Sequence, residues 1–274
     1  MSLVRRRARE RLFPTAAILI GVVVAAAGVS AAEIVPHKAY YALHLKSTAA
    51  GSTLSDVKGA MYIDWIDSCE GWSSSQRLEL RFYDATKPAI DIDSRFASCE
   101  SRDGLSYRFE VENLRDGAPD KDLAGKATLK AIGQPGEANF TGKHAFVMPL
   151  PAGTIFPARH MMELIDRGVA GDKIVARTVL DGTSDEGPFE VNAVIGSVKP
   201  AKDDEKILPK SVDKPYRPMR LAFFYMNKDE VAPFYEMSAD LMDNGITRSF
   251  VLDYGDSVIA ADLERIEILA KPKC

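Results

Sequence analysis

Apolar and polar residues alternate with a period of two in segment after segment of this chain, and no other feature constrains its fold as strongly. Successive side chains of a strand point to opposite faces, so the pattern marks a sheet with one buried face. In His37–Lys46 the odd positions Ala39, Tyr41, Leu43 and Leu45 are apolar, while Lys38, His44 and Lys46 fall between them. Val57, Met61, Ile63 and Trp65 alternate with Lys58 and Asp64; Leu78, Leu80 and Phe82 with Arg77, Glu79 and Arg81; Tyr107, Phe109 and Val111 with Arg108 and Glu110. The pattern returns late in the chain at Phe189 and Val191, from Met219 to Tyr225, from Phe250 to Tyr254, and at Ile266 and Ile268. Asp103-Gly104, Asp116-Gly117 and Asn244-Gly245 supply the positive φ that tight antiparallel reversals need. This spacing predicts on the order of a dozen strands, too many for one open twisted sheet without strong curling or closure.

One segment breaks the alternation. Pro157 opens a stretch in which Met161, Leu164 and Ile165 recur at helical spacing before Gly168, which predicts a helix over about 156–167 with its apolar stripe against a sheet face. Lys199–Pro218 carries Pro200, Pro209, Pro215 and Pro218 among lysines and an Asp203-Asp204-Glu205 run. It reads as a charged, solvated loop at about 199–218 that bridges the two halves of one continuous β domain over 33–274.

The N-terminus predicts the compartment. Arg5, Arg6, Arg7, Arg9 and Arg11 precede an apolar run from Ala16 to Ala27 that closes on the small residues Ser30-Ala31-Ala32, the layout of a secretory signal peptide over 1–32. The run falls short of the ~20 residues a membrane-spanning helix needs, so the expectation is cleavage and a periplasmic mature chain with no transmembrane anchor. Cleavage removes five arginines and one glutamate from a chain of net charge −4, leaving −8, which argues against nucleic acid as a partner. A composition that is 46% hydrophobic and 27% charged can bury a core.

Motifs for chemistry are lacking. His37 and His44 alternate onto opposite faces of one strand, and neither they nor His144 and His160 show zinc-ligand spacing. Gly182-Thr183-Ser184-Asp185-Glu186 lacks the closing glycine of a nucleophile elbow, and no glycine loop of the phosphate-cradling kind is present. Asp91 and Asp93 share a strand face and read as exposed polar surface. No catalytic residue, metal or cofactor is expected. The inward aromatics Tyr41, Trp65, Phe82, Phe109 and Phe223 either fill a core or enclose a groove for an acyl chain or another protein's segment.

Cys69, Cys99 and Cys274 all follow the leader, where thiols can be oxidised, and an odd count allows three single pairings. A cysteine at the chain end, which otherwise frays, suits a staple. Cys69 lies in a turn-like junction, and a bond from there to the terminus would close some 205 residues, worth roughly 5 kcal/mol in the chain-entropy picture. Cys99 lies late in an extended segment and reads as a small, partly buried thiol.

Four stretches, taken in order, resemble the EipB family of periplasmic envelope-integrity proteins. They are Val35-Pro36-His37-Lys38-Ala39-Tyr40-Tyr41, Ser68-Cys69-Glu70-Gly71-Trp72, Leu150-Pro151-Ala152-Gly153-Thr154-Ile155-Phe156-Pro157 and the terminal cysteine. The resemblance implies a spiral-like open β-barrel with one helix, no known catalytic activity, a Cys69–Cys274 disulfide and tetratricopeptide-repeat protein partners. Cys99 departs from the family pattern, which leaves a Cys69–Cys99 bond open. On this reading the chain is a non-catalytic periplasmic protein that supports envelope integrity by binding a periplasmic protein or envelope component; the alternative is a carrier or sensor of a lipid-like ligand within the curled sheet.

Overall fold

The computed structural model describes residues 32–142, 145–202, 206–226 and 231–273. The expected signal peptide through Ala31, His144, the Asp203-Asp204-Glu205 run and Cys274 lie outside the described residues. Eight strands come first: β1 (His37–Thr48), β2 (Leu54–Asp67), β3 (Gly71–Asp84), β4 (Ile90–Ser101), β5 (Ser106–Arg115), β6 (Ala118–Leu129), β7 (Gly136–Thr141) and β8 (Phe146–Leu150). The two-residue β9 (Thr154–Ile155) leads into α1 (Pro157–Ala170). Then follow β10 (Ile174–Val179), β11 (Phe189–Ile195), β12 (Tyr216–Tyr225), β13 (Tyr235–Met242), β14 (Thr247–Asp253) and β15 (Ser257–Ile268).

All fifteen strands form one sheet that runs from β8 back to β1, across to β15 and on to β9. The pairs are antiparallel apart from β9 with β10, which is parallel. Laid flat at the usual strand spacing, such a sheet would hold its edges ~65–70 Å apart. Yet the edge strands β8 and β9 are consecutive in the chain, with only residues 151–153 between them, a link that spans at most ~14 Å. The sheet must therefore curl until its edges approach each other. The expected architecture, mainly β and barrel-like with one helix, follows from strand order and one short connection.

Curling turns one face of every strand inward, and the register shows which. His37 pairs with Trp65, Trp65 with Ser74, Ser74 with Ser98, Ser98 with Phe109, Phe109 with Gly125 and Gly125 with Phe140. Gly125 has a steric reason, since a Cβ there would stand 2.6 Å from the tip of the Phe109 ring. At the β5–β6 reversal both Asp116 (φ 51°) and Gly117 (φ 77°) are left-handed, which a two-residue hairpin turn matched to strand twist requires.

Two expectations need correction. The helix does not stop at Gly168; it continues to Ala170 and closes on Gly171, whose φ of 94° makes it the left-handed cap. Gly168 is instead a packing glycine, where a Cβ would meet Arg217 Cδ at 3.0 Å and Ile195 Cγ2 at 3.3 Å. The Lys199–Pro218 segment is not solvated throughout. Lys199 and Tyr216 already pair across it, β12 takes up Tyr216 to Pro218, and Leu208 is buried in the largest apolar cluster with Met242 and Ile246. Asp213 from the same segment forms a buried ion pair with Arg248 of β14. The apolar stripe of α1 does lie against the sheet, with Leu164 and Ile165 packed among Val175, Val191 and Ile195.

Candidate functional site

The inward face is only partly filled. Tyr41 and Phe109 are buried, and the Tyr41 hydroxyl donates to the Thr247 carbonyl at 2.8 Å. In contrast, Ile63, Trp65, Phe96, Met237 and Phe250 remain half-buried because a cavity of about 380 Å³ lies among them. A smaller chamber of about 190 Å³ adjoins it, and Trp65, Pro157, Met161, Asp181, Met237 and Phe250 line both.

The larger chamber has walls of two kinds. Strands β13 and β14 and helix α1 contribute Met237, Phe250 and Met161, whereas β3, β4 and β5 contribute the uncharged polar residues Ser74, Gln76, Ser94, Ser98 and Asn113. These occupy the same inward phase as the aromatic residues, since Gln76 stands opposite both Ile63 and Phe96, and Ser98 opposite Phe109. Two of the hydroxyl protons are already committed: Ser94 donates to Asn113 Oδ1 at 2.7 Å and Ser74 to the Asp64 carbonyl at 2.8 Å. The Gln76 amide and Asn113 Nδ2 keep their donors free among the described residues.

The smaller chamber is apolar, lined by Leu164, Val179, Leu221, Phe223 and Leu241 with one polar ring, His160. Burial pushes this imidazole down to about 4; Glu163 opposes the shift and Arg177 adds to it. His160 is therefore neutral near pH 7, and its Nε2 has no hydrogen-bond partner among the described residues. Among the described residues Asp181 is the one acid lining either chamber, and no Lys or Arg lines them. Burial raises the Asp181 carboxyl, opposed by the Thr183 N–H at 2.9 Å and hydroxyl at 2.8 Å and by the Lys121 charge.

Glu100 positions the helix that forms part of this wall. No side chain of the local sequence caps α1, whose N-cap is Phe156. The buried Glu100 carboxylate of β4 accepts the Ala158 N–H at 2.7 Å and the Arg159 N–H at 3.0 Å in its place. It meets two of the donors that every helix start leaves unsatisfied. Burial nonetheless pushes Glu100 up to about 7, against those two N–H groups and the Arg159 charge. Sequence reasoning passed over Glu100, although the signal was there: a glutamate in the inward phase of β4, directly opposite Trp72 and Tyr107.

Of the residues singled out from sequence, Tyr41, Trp65 and Phe223 line the chambers, while Phe109 is core. Cys69 sits in the β2–β3 turn with φ 63°, its N–H donating to Asp67 and its carbonyl accepting Arg102 Nε at 3.0 Å. Cys99 is a free, half-buried thiol; Cys274 is not among the described residues. Asp91 and Asp93 belong to an outward ladder of ion pairs with Arg81, Arg77 and Arg95 at 3.1–3.3 Å; Asp91 is exposed as expected, whereas Asp93 is half-buried among its arginines. Among the described residues no three His, Cys, Asp or Glu side chains gather as metal ligands would, and no helix is long and apolar enough to cross a membrane.

A single, almost wholly antiparallel sheet curled around an incompletely filled interior, with a helix contributing to the wall, defines a β-barrel-like protein. The chain belongs to the EipB-like family, whose model matches residues 28–270. It is 30% identical over 254 residues to the cell envelope integrity protein EipB of Brucella abortus (strain 2308), an alignment covering 89% of this chain and 88% of that protein. The crystal structure of a β-barrel-like protein of the domain of unknown function DUF1849 from Brucella abortus superimposes with a TM-score of 0.81 at 29% identity, covering 88% of this chain and all of that one.

Proposed function

We propose that this chain is a non-catalytic periplasmic protein that supports cell-envelope integrity by holding an envelope component in the unfilled interior of its sheet. The observation that carries this reading is the pair of adjoining chambers. Protein interiors pack to crystal density, and each Å² of apolar surface left uncovered forgoes ~25 cal/mol. A ligand would supply the burial that Trp65, Phe96, Met237 and Phe250 lack. The envelope role is supported by the name of the Brucella relative, and export by the arginine-led apolar leader. Mass spectrometry under non-denaturing conditions, on protein taken from the periplasm, tests the reading: a bound mass released by denaturation is expected, and a bare chain mass from gently handled material would contradict it.

The Cys69–Cys274 bond belongs to the same proposal. Ile268 pairs with His37 and His37 with Trp65, so the chain leaves β15 two strands, ~10 Å, from the strand that leads into the Cys69 turn. The Leu269 N–H donates to the Pro36 carbonyl at 2.9 Å and Lys271 pairs with Glu33 at 2.6 Å, which hold the tail on that side. The residues after Ile268 can span ~20 Å, enough to reach. Cys99 is a free, half-buried thiol of β4, which supports this pairing over one through Cys99. Non-reducing peptide mapping is expected to yield a Cys69–Cys274 peptide; a dominant peptide containing Cys99 would overturn the pairing.

A protein partner, of tetratricopeptide-repeat type by family resemblance, is a second reading. Ile174 and Val194 stand opposite each other on β10 and β11 and are 70% and 56% exposed, an apolar pair on the outer face. Photo-crosslinking from position 174 in cells is expected to capture a periplasmic protein if this face docks one; capture of none would remove the reading.

A further inference from the structure

We propose that the occupant of the interior is an uncharged amphiphile with one apolar tail, its tail in the chamber beside α1 and its hydroxyl- or carbonyl-bearing head against the Gln76–Asn113 wall. This rests on the reading of the interior as a binding site and adds the chemistry of what it takes. The tail chamber offers Leu164, Val179, Leu221 and Phe223; its imidazole, His160, is held neutral by burial, and Asp181, which lines both chambers, is its one carboxyl among the described residues. The shared floor of Trp65, Met161, Met237 and Phe250 carries an apolar path into the larger chamber, with Asp181 and Thr247 the polar residues on it among those described.

Head-group charge is decided by what the wall lacks. A phosphate or carboxylate needs a cation or several converging N–H groups to offset its desolvation, and among the described residues no Lys or Arg lines either chamber. Asp181, the one acid lining them among the described residues, gives an anion nothing to pair with. A cationic head would have to pair with that carboxyl, but its Oδ1 already accepts the Thr183 N–H and hydroxyl and burial disfavours its charged form. The larger chamber instead presents the free amide donors of Gln76 and Asn113, with Ser74 and Ser94 oxygens available as acceptors because their protons are committed elsewhere. Neutral oxygens, such as those of an ester, an amide or a polyol, match such a wall. The combined space lies within the range of pockets that enclose a ligand of one short chain and a small head.

The sequence contains two tryptophans, and Trp65 lines both chambers. Replacing the other, Trp72→Phe in the full chain, leaves Trp65 as the sole fluorescent reporter. Three probes of equal tail length serve: monolauroylglycerol, laurate and dodecyltrimethylammonium, each titrated below its micelle concentration at pH 8. Saturable change of Trp65 emission by monolauroylglycerol, at least about tenfold tighter than by either charged probe, is expected. Gln76→Leu is expected to weaken the monoglyceride by about tenfold, the worth of one or two neutral hydrogen bonds, and to leave laurate unchanged. Calorimetry on the unaltered chain with the same probes answers the question should Trp72→Phe fold poorly. Binding of laurate or the ammonium probe as tightly as the monoglyceride would overturn the head-group inference while leaving the binding cavity standing. Failure of all three probes to bind would overturn both.

Discussion

Glu100 and His160 stand sixty residues apart in sequence but on the two ends of one contact, the strand that caps α1 and the first turn of that helix. Their titrations act in opposite directions. The Glu100 carboxyl lies at about 7 in the fold against an ordinary 4.5. Between those values the folded chain holds a proton that the unfolded chain has released. Its stabilising contribution is complete below pH 4.5 and is lost as pH rises through about 7, by about 3 kcal/mol. His160 lies at about 4 against an ordinary 6.5, so its contribution is complete above pH 6.5 and is lost as pH falls through about 4, again by about 3 kcal/mol. Across pH 4.5–6.5 the two slopes nearly cancel in the wild type. Glu100→Gln should expose the histidine slope, with stability rising by about 3 kcal/mol from pH 4 to 6.5. His160→Gln should expose the carboxylate slope, with stability falling by a similar amount from pH 4.5 to 7. His37, which burial also lowers, contributes equally to every variant and drops out of the comparison. Urea unfolding at half-unit pH steps reads these slopes directly. If Glu100→Gln and the wild type share one pH profile, the burial assigned to this carboxylate is wrong.

Arg248→Met breaks the buried ion pair with Asp213 and should destabilise the fold by about 3 kcal/mol in chemical denaturation; a loss below about 0.5 kcal/mol would contradict it. Gly182 has φ 77°, and a Cβ there would stand 2.3 Å from the Phe109 ring, so Gly182→Ala should cost about 2–3 kcal/mol by the same measurement. Leu208→Ala, in the segment first read as a solvated loop, should cost about 3 kcal/mol because Leu208 is 1% exposed within the core; a loss below about 0.5 kcal/mol would return that segment to the surface.

Much of the sheet was legible because alternation survives wherever one face is buried. The runs containing Tyr41, Trp65, Leu80 and Phe109 became β1, β2, β3 and β5 with the expected inward sides. Strand β6 escaped notice because its inward Gly125 is dictated by a ring on the neighbouring strand, a relation between residues sixteen apart that no local pattern carries. The end of the helix was misread for a similar reason, since Gly168 and Gly171 differ in what packs against them rather than in sequence. The half-filled interior was legible only as an alternative to a filled core. Whether Phe96 and Met237 meet other side chains or open space depends on how far the sheet curls. That curl is set by the three residues between β8 and β9.

The central claim is that the chambers beside α1 serve the envelope by being occupied. Ala239→Phe places a ring in the smaller one, which Ala239 lines. In cells lacking the natural protein, a variant that is folded, exported and present at normal level should leave the envelope as sensitive to detergent as the deletion does, and Met237→Trp should behave alike. Full restoration of detergent resistance by either filled-in chain would contradict the account.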